Sequence, residues 1–208
     1  MKLYYFETLN PRKACAVARY LGSPVEFVRI DLAKGEHKRP EFLAINPNGK
    51  VPAFADGDTK LWEADAIMAY LAKVEGSDLF PDGNRQIEMM RWLSWNSQHF
   101  TRHAGALYFQ YLIKPKFGLG DPDAKAVEEA TGFFKQFAGV LNDHLRGRKY
   151  LLGDTLTIAD FSVGVTLPYA EKIKLPLGSY PEIERWHARL NELPAWRQPF
   201  PDAKAAAA

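Results

Sequence analysis

Residues 2–32 read KLYYFETLNPRKACAVARYLGSPVEFVRIDL, and this stretch decides the fold. It begins with a short apolar and aromatic run, residues 2–6, which has the length and composition of a strand. A helical stretch follows from Pro11, and Gly22 stands where the end of a helix favours glycine. Residues 25–32 alternate in polarity and predict a second strand. The local order is therefore strand, helix, strand.

The next segment adds two strands and a helix to this unit. Residues 40–45 predict a short helix, and the turn formers NPNGK follow it. Residues 51–54 and 60–62 predict strands, and Asp56-Gly57 between them is a hairpin turn signal. Residues 64–74 then carry apolar side chains at helical spacing. The first part of the chain is therefore a mixed α/β unit.

The second part of the chain predicts helices alone. It begins after the turn-rich segment GSDLFPDGN, and its helical patterns cover residues 85–112, 124–145, 158–170 and 180–193. We therefore predict an α/β domain over residues 1–77 and an all-helical domain over residues 86–200. The alanine-rich end, residues 203–208, has no core-forming pattern, and we expect it to be frayed.

The composition is that of a globular protein and excludes several functions. The 208 residues are 47% hydrophobic and 25% charged, and the formal charge of +2 is too small for a nucleic-acid-binding surface. No apolar run approaches the roughly 18 residues that a membrane span needs, and the N-terminus lacks a signal-peptide pattern. The single cysteine, Cys15, excludes an intrachain disulfide and a multi-cysteine zinc site. We expect a cytoplasmic protein that binds neither nucleic acid nor a membrane.

The junction between the first strand and helix, TLNPRK at residues 8–13, is suited to an anion such as a thiolate. The start of a helix carries about half a positive charge and unpaired N–H groups. The Thr8 hydroxyl and the Asn10 amide are two further donors. Together these groups are expected to lower the pKa of a thiol by about one to two units. The alternative is an ordinary helix cap with no ligand.

Two further motifs suit the backbone and charged ends of a peptide. Val51-Pro52 is a candidate cis bond that leaves Val51 to pair with an extended peptide, and Lys50 beside it suits a carboxylate. Glu63 stands where a strand ends and a helix begins, so it suits an ammonium while the following backbone N–H groups suit a carboxylate. The structural alternatives are a turn before a strand and an acidic group that favours a helix N-terminus.

The segment YLLGDTLTIADF carries a capping box. Thr157 and Asp160 have the spacing at which each side chain bonds to the backbone N–H of the other residue. This motif is structural, and replacing Asp160 by alanine is expected to cost about 1–2 kcal/mol.

In their order and spacing these segments resemble the soluble glutathione transferase family along essentially the whole chain. The matching stretches are KLYY, GEHKRPEFLAINPNGKVPA, LWEADAIMAYL, LFP and YLLGDTLTIADFS. The resemblance implies a thioredoxin-like N-terminal domain, an all-helical C-terminal domain and a homodimer. It also implies conjugation of glutathione, as a co-substrate and without a metal, to small apolar electrophiles. Within the family the chain resembles the bacterial beta, theta and nu-like groups.

The resemblance also implies which residues bind glutathione. His37 and Lys50 match residues that hold the glycyl carboxylate, and Val51 matches the residue that pairs with the cysteinyl backbone beside cis-Pro52. Glu63 and Ala64 match the acidic-Ser pair that binds the γ-glutamyl end. Because Ala64 replaces the usual serine, one hydroxyl contact is lost, and binding is expected to be weaker by about 1.5–3 kcal/mol if nothing compensates.

Three alignments with the family give different positions in one loop for the residue that activates the thiol. A beta-class alignment puts the catalytic position at Asn10, a theta-like alignment puts it at Thr8, and the nu-like loop uses both residues. We choose Thr8 and Asn10. Tyr5 is the alternative, since some classes use a tyrosine at the end of this strand. Cys15 lies inside the first helix and is expected to be a buried hydrophobic residue rather than a nucleophile.

In the helical half, Phe100 and His103 are candidates for the electrophile pocket, because the corresponding helix borders that pocket in the family. Two alternative functions remain open. One is glutathione-dependent reduction of disulfides or peroxides, as in the nu-like group. The other is a non-catalytic module that binds glutathione or another ligand.

Overall fold

The computed structural model describes residues 1–201, so the expectation for residues 203–208 lies outside the described part of the chain. Two compact units are present. The first comprises Met1–Phe80 together with the segment that begins at Leu193, and the second comprises Pro81–Glu192.

The first unit contains a four-stranded sheet in the order β2-β1-β3-β4. The strands are β1 (Lys2–Tyr5), β2 (Glu26–Arg29), β3 (Ala53–Asp56) and β4 (Thr59–Trp62). β1 and β2 are parallel, whereas β1 with β3 and β3 with β4 are antiparallel. This is the thioredoxin-like arrangement, which confirms the predicted fold class.

The helices of the first unit connect these strands. They are α1 (Leu9–Leu21), a 3-10 turn (Glu36–Lys38), α2 (Pro40–Leu43) and α3 (Ala64–Val74). Gly22 ends α1, as predicted, with a φ of 66°, a left-handed conformation that glycine adopts readily. Because side chains alternate along β1, Leu3 and Tyr5 enter one buried cluster with α1 and α3, while Tyr4 packs against a second cluster around Phe42.

The end of the described chain, from Leu193, belongs to the first unit. α10 (Pro194–Arg197) brings Trp196 to full burial. The Arg12 guanidinium lies over the Trp196 ring at 5.3 Å and donates to the Trp196 carbonyl oxygen. The Phe200 ring stacks on Tyr5 with centroids 5.8 Å apart. The helical unit therefore ends before residue 200, the boundary predicted from sequence, because these aromatic rings complete the core of the first unit.

The second unit is helical, and its elements follow the predicted patterns with several interruptions. They are α4 (Gly83–Trp95), a π-helical segment (Asn96–Phe100), α5 (Thr101–Tyr108), a second π-helical segment (Phe109–Ile113), α6 (Lys114–Lys116), α7 (Ala124–His144), α8 (Ile158–Val163), 3-10 segments (Gly164–Tyr169 and Leu177–Ser179) and α9 (Pro181–Leu190). Pro168 lies in the first 3-10 segment, so the α-helix predicted over 158–170 is shorter than expected. No helix within residues 1–201 is long and apolar enough to cross a membrane.

Candidate active site

The start of α1 is arranged differently from the sequence prediction. Thr8 is the N-cap, with φ −137° and ψ 173°, and the helix begins at Leu9. Pro11 is therefore the third helical residue and not the first. Proline is tolerated there because the N–H groups of the first turn have no acceptor within the helix. The Thr8 side chain makes no capping hydrogen bond.

The loop before β3 is held by the buried side chain of Asn46. Its Nδ2 donates to the Lys50 carbonyl oxygen at 2.6 Å, and its Oδ1 accepts from the backbone N–H and the Nδ2 of Asn48 at 3.0 and 2.9 Å. The Val51-Pro52 peptide bond is cis, as predicted. These bonds fix the path of the backbone that leads into Val51.

The start of α3 has an unusual backbone conformation. Glu63, its N-cap, has φ 69° and ψ 120°, a conformation that residues other than glycine rarely adopt. Such a conformation costs about 1–3 kcal/mol and is found mostly at functional sites. Ala64 is the first helical residue and is buried, whereas the Glu63 side chain is exposed.

Two neighbouring clefts of the first unit contain the predicted residues. One has a volume of about 100 Å³ and is lined by Asn10, Asn46, Asn48, Lys50, Val51, Pro52, Glu63 and Ala64. The other has a volume of about 330 Å³ and is lined by Thr8, Leu32, His37, Lys38, Gly49, Lys50 and Val51. Because Lys50 and Val51 line both, the two clefts form one groove. The structure thus brings together all eight residues predicted for thiol activation and glutathione binding.

The charges of the groove are separated along its length. Glu63 lies in the smaller cleft, while His37 and Lys38 lie in the larger one, and Lys50 borders both. Burial and the nearby charge of Lys38 lower the pKa of His37. The buried Nδ1 of His37 has no hydrogen-bond partner among residues 1–201. One end of the groove thus suits a cation and the other an anion.

Other candidates for thiol chemistry lie away from this groove. Tyr5 is 1% exposed and packs between Phe27 and Phe200, and its burial raises the pKa of its hydroxyl. Cys15 is completely buried, and burial raises the pKa of its thiol well above the ordinary value. Both are core residues, as the sequence interpretation favoured.

For Phe100, the assignment to the electrophile pocket stays a prediction that its position in the core does not support. Its ring is completely buried between Trp95, at 5.9 Å, and Phe134, at 5.2 Å, so it offers no face to a ligand. The His103 ring is half-buried and stacks on Phe133 at 4.7 Å, and its assignment stays a prediction. In the described part of the chain no three His, Cys, Asp or Glu side chains are grouped to hold a metal ion.

Sequence reasoning missed several residues that shape the site. Lys38 lines the larger cleft, and a Cβ at Gly49 would lie 2.9 Å from its Nζ, so glycine leaves room for this ammonium. Lys13 is buried, and its ammonium lies 3.4 Å from Asp65, so this ion pair ties the first turns of α1 and α3 together. The signal for Lys38 was the run EHKR beside His37, whereas nothing local marked the Lys13–Asp65 pair.

Both the family models and the relatives that match this chain are glutathione S-transferases. The model of the glutathione S-transferase N-terminal domain matches residues 1–73, and that of the C-terminal domain matches residues 101–194. Glutathione S-transferase 3 of Zea mays is 35% identical over 207 residues, which are 95% of this chain and 92% of the relative. The probable glutathione S-transferase GSTF2 of Oryza sativa subsp. japonica is 37% identical across 94% and 93% of the two chains.

A solved structure extends the likeness to three dimensions. Glutathione S-transferase I from maize, in complex with an atrazine glutathione conjugate, superposes with a TM-score of 0.85 at 33% identity, covering 99% of this chain and 96% of that one. These relatives are plant proteins, so the bacterial beta, theta and nu-like groups, inferred from the few residues of the α1 junction, are not supported. With both domain models matched and relatives above 30% identity along nearly its whole length, the chain belongs to the glutathione S-transferase family.

Proposed function

We propose that the protein conjugates the thiolate of glutathione to small apolar electrophiles. The observation that carries this proposal is the groove formed by the two clefts, which share Lys50 and Val51. Glutathione has an α-amino acid group at one end and a carboxylate at the other. The separation of Glu63 from His37 and Lys38 matches this distribution of charge.

In the proposed complex, glutathione lies extended along the groove. Its cysteinyl backbone pairs with the N–H and C=O of Val51, as an added strand pairs with a sheet edge. Glu63 accepts from the ammonium of the γ-glutamyl residue, and the N–H groups at the start of α3 face the adjacent carboxylate. His37 and Lys50, with Lys38, hold the glycyl carboxylate.

The thiol lies at the start of α1. There the helix dipole contributes about 0.3–1 kcal/mol and a hydrogen bond from Thr8 about 1.5–3 kcal/mol in favour of the thiolate. Because the neutral thiol keeps part of these interactions, together they lower the thiol pKa by about one to two units. The thiolate attacks the electrophilic carbon, a carbon–sulfur bond forms, and the leaving group departs with its electron pair. The protein supplies orientation and a stabilised thiolate, not a covalent nucleophile.

Conjugation of glutathione to 1-chloro-2,4-dinitrobenzene, followed by the absorbance of the thioether product, tests this proposal. Thr8→Val removes the hydroxyl but not a helix cap, because that side chain makes no capping bond. We expect Thr8→Val to lose at least about tenfold in kcat/KM near neutral pH, and Thr8→Ser to retain most activity. Equal rates for the wild type and Thr8→Val would remove Thr8 from the mechanism.

The same preparations separate the two alternative functions. Reduction of hydroxyethyl disulfide without conjugation would assign the groove to disulfide reduction. Binding of glutathione with turnover of neither substrate would assign it to a binding module.

The proposed assembly is a homodimer. Exposed apolar side chains on α4 and α7, Ile87, Met90 and Val140, support a self-association surface on the helical unit. We expect light scattering to give a dimer mass for the wild type and a monomer mass for Met90→Lys. Gln136→Lys, at another exposed position of α7, is the control. A monomeric wild type would contradict the assembly.

The proposed location is the cytoplasm. A free thiol substrate and the unpaired Cys15 are both compatible with a reducing compartment. Fractionation of expressing cells should recover the protein with cytoplasmic markers, and recovery in an oxidising compartment would contradict this expectation.

A further inference from the structure

We infer that Asn10 binds the α-carboxylate of the γ-glutamyl residue, in place of the hydroxyl that is missing at Ala64, and that Thr8 alone contacts the sulfur. This inference rests on the proposed function, because it assigns one contact within the glutathione-binding groove.

Asn10 and Thr8 lie in different parts of the groove. Asn10 lines the smaller cleft together with Glu63 and Ala64, whereas Thr8 lines the larger cleft. Thr8 is the N-cap of α1, and Asn10 is the second helical residue. Because each helical residue turns the side-chain direction by about 100°, side chains two positions apart diverge. The two residues therefore face different parts of a bound peptide.

An ion pair fixes which side of α1 lies next to α3. Lys13 lies one turn after Asn10 and on the same side of α1, since residues three apart are neighbours on a helix. Its ammonium lies 3.4 Å from the carboxylate of Asp65, the residue after Ala64. The side of α1 that carries Asn10 thus faces the start of α3, where Glu63 and Ala64 lie.

The side-chain donors of the smaller cleft differ in the hydrogen bonds that they already make. Asn46 donates its amide to the Lys50 carbonyl oxygen, Asn48 donates to Asn46, and Glu63 is only an acceptor when ionised. The Asn10 side chain is exposed, and its amide makes no hydrogen bond with another residue in the range 1–201. Asn10 is therefore the amide of this cleft with both hydrogens uncommitted, and its rivals are the second amide hydrogen of Asn48 and the Lys50 ammonium.

The chemistry of an α-amino acid group completes the assignment. Its ammonium requires an acceptor, which Glu63 supplies, and its carboxylate has two oxygens that require donors. The backbone N–H groups at the start of α3 can serve one oxygen, but Ala64 has no hydroxyl for the other. The Asn10 amide lies in the same cleft and has the hydrogen that this oxygen needs.

The test compares two peptides with the full-length protein by calorimetry. One is glutathione, and the other is 4-aminobutyryl-Cys-Gly, which lacks only the α-carboxylate. Asn10→Ala should weaken glutathione binding about ten- to hundredfold, as expected for a lost hydrogen bond to a charged group. It should change the affinity for the shortened peptide by less than about twofold, because the carboxylate is absent in both proteins. The pH midpoint of conjugation should stay the same, and adding Ala64→Ser should recover much of the lost glutathione affinity.

Lys50→Met is the matched control. It should weaken both peptides by the same factor, because both carry the glycyl carboxylate. If Lys50→Met instead weakened glutathione selectively and Asn10→Ala did not, the inference would be wrong. Equal losses for both peptides in Asn10→Ala, with a raised pH midpoint, would place Asn10 at the sulfur and also overturn it. A wild type that binds neither peptide would be a failure of the proposed function itself.

An unfolding midpoint matching that of the wild type would show that Asn10→Ala is folded.

Discussion

Replacing Asp160 by alanine should destabilise the helical unit well beyond the cost of a lost helix cap. The capping box predicted from sequence is present, but the carboxylate does more than cap α8. One of its oxygens accepts from the Leu151 N–H at 2.9 Å and from the Trp186 indole N–H at 3.1 Å. The other accepts from the Thr157 N–H at 2.9 Å and from the Thr157 hydroxyl at 3.1 Å. Asp160 is completely buried, so water cannot replace these bonds.

The magnitude follows from the donors that Asp160→Ala leaves behind. A cap alone is worth about 1 kcal/mol and at most about 2 kcal/mol. Three buried N–H groups would lose their acceptor, and each such group costs about 1–3 kcal/mol. Taking values near the lower end, because the cavity can relax, the free energy of unfolding should fall by about 3–5 kcal/mol.

Urea unfolding followed by tryptophan fluorescence measures this loss. Thr157→Ala is the control, since it removes the hydroxyl but keeps the N–H that Asp160 accepts, and it should cost about 1–2 kcal/mol. If Asp160→Ala cost no more than Thr157→Ala, the three N–H contacts would not contribute as argued.

Other perturbations have equally definite outcomes. Glu63→Gly should leave the free energy of unfolding unchanged or raise it by up to about 1 kcal/mol, because glycine tolerates the positive φ. The same variant should bind glutathione at least about tenfold more weakly by calorimetry, because the carboxylate is lost. Glu63→Gln keeps a side chain at the strained positive φ, so it should lose glutathione affinity with no increase in the free energy of unfolding. Undiminished glutathione binding in either variant would contradict the role of the carboxylate. Cys15 should not react with 5,5′-dithiobis(2-nitrobenzoic acid) in the native protein but should react fully in urea, because it is buried and burial raises the pKa of its thiol; rapid native labelling would contradict that burial. Burial raises the pKa of Asp160 to about 6, so the folded state holds its proton more tightly than the unfolded state. The free energy of unfolding should therefore fall by about 3 kcal/mol in all as pH rises from below about 4 to above about 6. Asp160→Asn should lack this slope in urea titrations at several pH values, and an unchanged slope would assign it to other groups.

Local sequence signals were sufficient for most elements of the first unit. The predicted helix over residues 64–74 coincides with α3. Gly22 ends α1 as expected, because its left-handed conformation is a local requirement that few other residues meet. Strand ends shifted by one to three residues, since pairing with neighbouring strands decides where a ladder stops.

Features that depend on distant contacts could not be predicted in the same way. The helix expected over residues 85–112 contains two π-helical segments, and in the first of them Asn96 donates to Ser162 and accepts from the Thr101 hydroxyl. Helical spacing alone does not reveal that Phe100 lies in the core instead of a pocket. The packing of Trp196 on Arg12 joins residues 184 positions apart, which no local pattern contains.

The candidate site was predictable in its membership but not in its internal arrangement. Family motifs named eight residues that the structure brings to one groove. They did not separate Asn10 from Thr8, because both lie in the same short motif and only the three-dimensional position divides them between two clefts. They also missed Lys38, because the family motif names its neighbour His37 and not Lys38 itself.

The central claim is that the start of α1 holds glutathione as a thiolate beside Thr8. Ultraviolet absorbance near 240 nm reports the thiolate directly, so a pH titration of the glutathione–protein complex measures the pKa of the bound thiol. We predict that this pKa lies about one to two units below that of the free peptide, that Thr8→Val removes most of the difference, and that Thr8→Ser retains it. A bound thiol that titrates like the free peptide in the wild-type protein would contradict the claim.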